Sequence, residues 1–599
     1  LKKAIFVVSI TLSAIVLINC HAPVKTSTTD NIRQYILDEN ALFARQLEVM
    51  SDLIRGRAGQ EQVQHAFAAL RHNYKKMEWA VAYYMPETTR FTNGPALDEI
   101  EAEENTILEA EGLQVLEEYL YPVPDTSRTA EMLRMIKKLS NKSLAIRTYF
   151  EANTISLPQI MDALRSQVFR IITLGITGFD TPVSGTGLTE SAWALEGIAG
   201  ILDRLKPQLQ YQDKADTLLT KITAARTVLV AAGDRNHFNY LDFITSHANR
   251  ISEELYLLRI AENIPAVAVT KAIRDNAPTL FSADAFNPDA FVPGSEYKQS
   301  ADKAALGKML FSNPVLSGNG SRSCATCHQS ERAFTDGLKT ATAIAGGSLS
   351  RNTPSLNYSN FQHGQFWDMR RPDLETQAED VITNKQEMHG SLADISQKLN
   401  ADIAYKSLFK KIYKTDTIAT WQLQNVLAAY IRSLSVFSSG FDRYMRGEKT
   451  AMTASQQQGF NLFTGKGKCA TCHFIPLFNG TVPPDFTKTE AEVLGVATDF
   501  TNKKPDTDRG RGYLHGTIPQ LQNAFKTPTL RNIAQTAPYM HHGGYQTLQQ
   551  VMTFYNKGGG TGLGFKTDNQ TLPADQLQLT QEETDKIIDF MQALTDTPQ

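Results

Sequence analysis

The sequence predicts a mainly α protein in three parts, a helical bundle followed by two smaller helical units. Three observations carry this: apolar residues recur at helical spacing through the first half, alternating β-branched runs are scarce, and the second half holds two Cys-x-x-Cys-His runs set among short helices and long loops. At 599 residues the chain exceeds what one hydrophobic core supports, so at least two domains are expected. A formal net charge of -3 is too small to point to nucleic acid as a partner.

In chain order, Lys2 and Lys3 precede a largely apolar run from Ala4 to Ile18, which stops at Asn19-Cys20. Residues 1–20 resemble a bacterial lipoprotein signal peptide, which implies export, lipidation at Cys20 and a periplasmic body tethered to the membrane. The apolar run is short for a bilayer span. A polar tether follows, then a helical domain over 30–275, with helical periodicity in Ile36–Leu53, Val63–Tyr84, Ile107–Tyr121, Met132–Ala152 and Leu195–Leu205. Within it, Gly112-Leu113-Gln114-Val115-Leu116-Glu117 faintly resembles the Gly-x-His-x-x-Glu motif of imelysin-like domains. Gln114 stands where that motif has its histidine, which argues against an inherited metal site; the plainer expectation is a bundle in which Glu117 is a solvated or capping carboxylate. Asn287-Pro288 and Pro293-Gly294 mark 276–298 as the linker.

The strongest signal lies beyond it. Cys324-Ala325-Thr326-Cys327-His328 and Cys469-Ala470-Thr471-Cys472-His473 each offer two sulfurs to one edge of a porphyrin and a histidine to its iron. The other readings are redox dithiols, disulfides or one four-cysteine zinc site; none explains a histidine after each pair. The expected units are therefore two cytochrome c-like haem domains, 299–450 and 451–599, carrying two covalently bound haem c groups.

Around these motifs the chain reads Phe334-Thr335-Asp336-Gly337, Arg351-Asn352-Thr353-Pro354, Gln365-Phe366-Trp367-Asp368, Phe525-Lys526-Thr527-Pro528, Thr536-Ala537-Pro538-Tyr539-Met540-His541 and Phe554-Tyr555-Asn556. This series resembles the bacterial di-haem cytochrome c peroxidase and MauG family over about the last 300 residues. The resemblance implies a peroxidatic haem at His328, an electron-transfer haem at His473, Trp367 between them, and Gln377 and Glu387 as distal residues. It also implies a calcium ion held by Asn352, Thr536 and Pro538, oxygen donors suited to a hard cation. The second haem's distal ligand falls on Tyr555, with Met540 and Met552 as rivals. Many peroxidases of the family close the oxidised peroxidatic haem with a histidine from the loop soon after the first motif; here no histidine occurs between His328 and His363, so the departure implies a haem open when oxidised, with His363 as a candidate substitute ligand.

The implied activity is reduction of hydrogen peroxide at the first haem, with electrons relayed through the second from a small periplasmic cytochrome c or cupredoxin. The alternatives are MauG-like, peroxide-dependent oxidation of a protein or organic substrate, and a non-catalytic di-haem carrier or sensor.

Overall fold

The structure, a computed structural model, describes residues 27–101, 106–501 and 504–597. The signal segment 1–20, with Cys20, lies outside the described residues. Among those described, no helix is long and apolar enough to cross a membrane.

Helices dominate the first half. Ser27 opens the helix Thr28–Arg55 by accepting from the Asp30 amide at 3.1 Å, and Asp30 places negative charge at the helix N-terminus. Ile32, Ile36, Phe43, Leu47, Met50 and Ile54 form one buried stripe on it. The stripe packs against Gln60–Tyr84 and Thr129–Ala152, and the layer continues through Leu157–Arg170, Gly187–Leu205, Gln212–Ala231 and Asn249–Ala261. One expected helix is broken. Thr106–Leu108 pairs as an antiparallel strand with Glu99–Glu101, and the helix begins only at Leu113. Gly112 separates them with φ 113°, a backbone conformation that an L-residue resists, so helical periodicity across it misleads.

The bundle interior carries charge. Arg71 pairs with Glu190, Lys75 Nζ lies 2.5 Å from Asp180 and 2.8 Å from Glu78, and Arg170 reaches Asp180 at 2.7 Å, all in buried positions. Glu117 belongs beside this cluster: it is fully buried, accepts from the Ser184 amide at 2.7 Å, and burial pushes its carboxyl up. The solvated or capping role expected for Glu117 is therefore wrong, because the Arg71-rich interior can hold a carboxylate that water does not reach. Gln114 is also buried and donates to the Asn93 carbonyl at 2.9 Å.

Segment 276–298 has no regular element beyond the short turn Ser295–Tyr297, yet it is well packed. Phe286 stacks on Phe437 at 5.4 Å and meets Phe486 edge-on at 5.2 Å, while Phe281 meets Phe441 at 5.9 Å. The helical half also rests on the second Cys-x-x-Cys-His region: Leu241 donates to Asn461 at 2.9 Å and Phe179 lies edge-on to Phe474 at 5.5 Å.

The two later units repeat one arrangement. The helix before each motif, Ala301–Phe311 or Ala454–Thr464, crosses a later helix, Thr420–Arg432 or Gln581–Gln592. Each crossing occurs at a glycine, Gly307 beneath Val426 and Gly459 beneath Lys586, where a side chain would strike a backbone carbonyl.

Candidate functional site

Each Cys-x-x-Cys-His run forms a short 3-10 turn, Cys324–Thr326 and Cys469–Thr471, which brings the following histidine back toward its own cysteines. All four described cysteines are free thiols, and burial pushes Cys324 and Cys469 up to about 12. His328 Nδ1 lies 2.9 Å from the Phe334 carbonyl; His473 Nδ1 lies 3.2 Å from Phe478 O and 3.1 Å from Pro528 O. A ring nitrogen facing a carbonyl must carry the proton, so Nε2 is left with a lone pair on each ring. Burial lowers both histidines, His473 to about 4, which keeps the rings neutral and competent to bind metal.

Both turns open onto one cavity of about 2170 Å³. That exceeds the roughly 300–1,000 Å³ of a site for one drug-sized ligand. Cys324, Cys327, His328, Cys469, Cys472 and His473 all line it. Among the described residues the two cysteine pairs do not converge on a point, since the one close group of ligand-type side chains is Asp506, His541 and His542. A shared zinc site is thereby excluded, whereas free sulfurs beside a histidine with an available Nε2, at two places on a large cavity, fit two covalently held haems. The Asp506 group offers no open coordination sphere either: His542 donates through Nε2 to Ala497 O at 2.9 Å and accepts from the Gly544 amide at Nδ1, also at 2.9 Å.

On the side of the first turn, the helix Leu374–Thr383 is capped by Asp373, which accepts from the Thr376 amide at 2.8 Å. It carries Gln377 to the cavity wall, and Glu387 follows in the loop after it. Burial pushes the Glu387 carboxyl up, opposed by the charge of Arg370, while Asn384 Nδ2 donates to its Oε1 at 2.8 Å. Trp367 is fixed at the cavity by donation from Nε1 to the Asn352 carbonyl at 3.0 Å. His363 is exposed at the cavity edge, its ring 6.1 Å from Phe291.

On the side of the second turn, Thr547 caps the helix Leu548–Asn556, which carries Met552 and Tyr555 on one face. Both line the cavity; Met552 is 4% exposed and packs in the main core, whereas Tyr555 is half-buried, with Cys472, Cys469 and Glu492 as charge neighbours. Met540 packs with Tyr539 and Phe554 in a smaller cluster beside the same cavity. Burial pushes Glu492 up to about 7.

Asn352, Thr536 and Pro538 also line the cavity. Asn352 Nδ2 donates to Leu338 O at 2.9 Å, and among the described residues no hydrogen bond uses its Oδ1 or the carbonyls of Thr536 and Pro538. Three oxygen acceptors thus remain available to a cation. Residues to which sequence reasoning gave no role are Arg351, Asp368, Arg370, Arg371, Asp380 and Asp508, joined in an ion-pair chain beside Trp367. The alternation of charges in Trp367-Asp368-Met369-Arg370-Arg371 was the available signal.

Known proteins resemble the second half of the chain. A family model described as di-haem cytochrome c peroxidase matches residues 301–450. The cytochrome-c peroxidase IdrP2 of Denitromonas iodatirespirans is 32% identical over 315 residues, covering 50% of this chain and 83% of the relative. The methylamine utilization protein MauG of Methylorubrum extorquens is 32% identical over 299 residues, 50% of this chain and 79% of the relative. Among solved structures, a MauG-like protein associated with microbial copper homeostasis aligns at 28% identity and TM-score 0.46, over 51% of this chain and 94% of that one. The chain belongs to the di-haem cytochrome c peroxidase and MauG family, and is accordingly an oxidoreductase of the di-haem peroxidase type with two c-type haems.

Proposed function

We propose that this protein reduces hydrogen peroxide to water at the site of His328, drawing electrons through the site of His473. Cys324, Cys327 and His328 would hold one haem, and Cys469, Cys472 and His473 the other. Bound there, the haems supply the redox-active iron that no side chain provides. What supports the reading most is that Glu387 is a charge neighbour of Cys327 in the first haem turn and lines the same cavity as Gln377 and Trp367.

The side chains divide the remaining work. Each peroxide takes two electrons and two protons and yields two waters. Glu387, ionised, accepts a proton from one peroxide oxygen and returns it to the departing one. Gln377 cannot exchange protons and instead holds the peroxide by hydrogen bonds from its amide. Trp367 stands between the two units as part of the electron path. Tyr555 is the ligand we assign to the second haem, because Met552, though it also lines the cavity, is packed in the main core, whereas the Tyr555 hydroxyl has Cys472 and Cys469 of the second turn as neighbours. Asn352 Oδ1 and the carbonyls of Thr536 and Pro538 would hold calcium between the sites. The donor would be a small cytochrome c or cupredoxin in the periplasm, where the N-terminal segment, through Cys20, would tether the protein.

A tyrosine in that ligand position favours a second reading, peroxide-dependent oxidation of an organic or protein substrate in the manner of MauG. Rapid mixing of the haem-loaded protein with peroxide separates the readings. A peroxidase consumes peroxide and oxidises two equivalents of reduced cytochrome c per peroxide. A MauG-like oxidase holds its oxidised spectrum when no donor is present. A carrier gives no rapid spectral change.

A further inference from the structure

The ion-pair chain beside Trp367 is not explained by packing alone. Arg351 binds Asp508 through Nε and Nη2 at 2.8 and 2.9 Å and reaches Asp368 through Nη1 at 2.6 Å. Asp368 in turn meets Arg370 Nη1 at 3.1 and 3.2 Å, and Arg370 Nε reaches Asp380 at 2.8 Å. Arg371 closes the series on Asp380 at 3.1 Å. The chain therefore runs from the second unit, past the backbone of Trp367, to the helix that carries Gln377. Arg370 lies at its centre, with its guanidinium 3.4 Å over the Phe366 ring. Its Nη2 makes no hydrogen bond among the described residues, and the side chain lines the cavity with Gln377 and Glu387.

We propose that Arg370 is a positioning residue for the peroxide step: it locks the Trp367 segment to the helix of Gln377 and, together with Asp380, sets the charge felt by Glu387. This rests on Glu387 being the proton shuttle. A planar guanidinium can bridge two carboxylates at once, whereas an ammonium is a point charge and cannot hold both in a fixed plane. Three arginines against three aspartates leave the chain neutral overall. Its field at Glu387 is then a small difference between opposing neighbours, and burial prevails. The charged or titratable groups facing Glu387 are Arg370 from the loop before the helix, Asp380 from the helix, and Arg322 and Cys327 from the first haem turn. Arg370 and Arg322 favour its ionised form, and Asp380 opposes it.

The test is the pH profile of kcat/KM for peroxide in the haem-loaded full chain, whose acidic limb reports the shuttle. R370Q should move that limb to higher pH and D380N to lower pH. R370K should keep the limb near its wild-type place while lowering the rate about tenfold, for want of the second carboxylate contact. General loosening of the site would lower rates without shifting the two limbs in opposite directions. Limbs that stay put, or move the same way, in R370Q and D380N overturn the proposal. E387Q separates the two levels: a limb that survives E387Q removes the shuttle itself, whereas a limb that E387Q abolishes and R370Q and D380N leave in place sinks only the role of Arg370.

Discussion

The two haem turns share the same five residues, Cys-Ala-Thr-Cys-His, yet sit in different surroundings. On the side of the first, Glu387, Gln377 and Arg370 line the cavity, and His328 is oriented by one carbonyl. The second is braced and covered. Two carbonyls hold His473, Phe179 of the helical half leans on Phe474, Tyr555 faces the same space, and the buried Arg531–Asp442 pair joins its loops. Covalent attachment is therefore written in the motif, while the proposed division into a reacting and a relaying site rests on what packs around it.

The largest expected effects come from erasing one turn at a time. Replacing Cys324 and Cys327 by Ala should halve the covalent haem, counted spectroscopically in denatured protein, and abolish peroxide consumption. The same change at Cys469 and Cys472 should also halve the haem, but should spare the first reaction with peroxide while stopping sustained turnover. Equal effects of the two pairs would erase the proposed division of labour. Next in size is Glu387→Gln, expected to lower kcat/KM for peroxide by about a hundredfold or more without altering the second haem's spectrum. Because burial raises Glu387, wild-type activity should fall as pH drops through a value above the ordinary carboxylate range of about 4.3. A pH–rate profile checks the sign: the carboxylate form works, so acid removes activity.

Smaller effects sharpen the second site. Asp442→Asn should cost about 3–5 kcal/mol of stability by stranding Arg531, read by denaturant unfolding, with little change at the first site. Asp506, which burial alone would raise but which its contact with His541 holds down to about 2, should contribute stability that is present above its unfolded value near 3.9 and lost as pH falls through about 2. Melting temperatures of wild type and Asp506→Asn should therefore converge in acid.

How much was legible in the sequence follows the range of the interactions involved. The helices of the first half announce themselves because Ile32, Ile36, Phe43 and Leu47 repeat locally on one face, and both Cys-x-x-Cys-His runs are contiguous. The pairing of strands Glu99–Glu101 and Thr106–Leu108 was hidden because an apolar run cannot reveal that Gly112 adopts a positive φ. Glu117 misled for another reason: its partners in space, Arg71 and Ser184, lie far off in sequence. The same distance hid Arg351, whose partner Asp508 lies in the other unit. The packing of the helical half onto the second turn, through Leu241 and Phe179, had no local trace at all.

The unequal sites are tested most directly by the electron paramagnetic resonance spectrum of the purified oxidised protein carrying both haems. The account predicts two distinct ferric signals, one from a haem with no protein ligand opposite His328 and one from a six-coordinate haem whose signal changes in Tyr555→Phe. Two six-coordinate haems with protein ligands on both faces, or a spectrum unmoved by Tyr555→Phe, would contradict it.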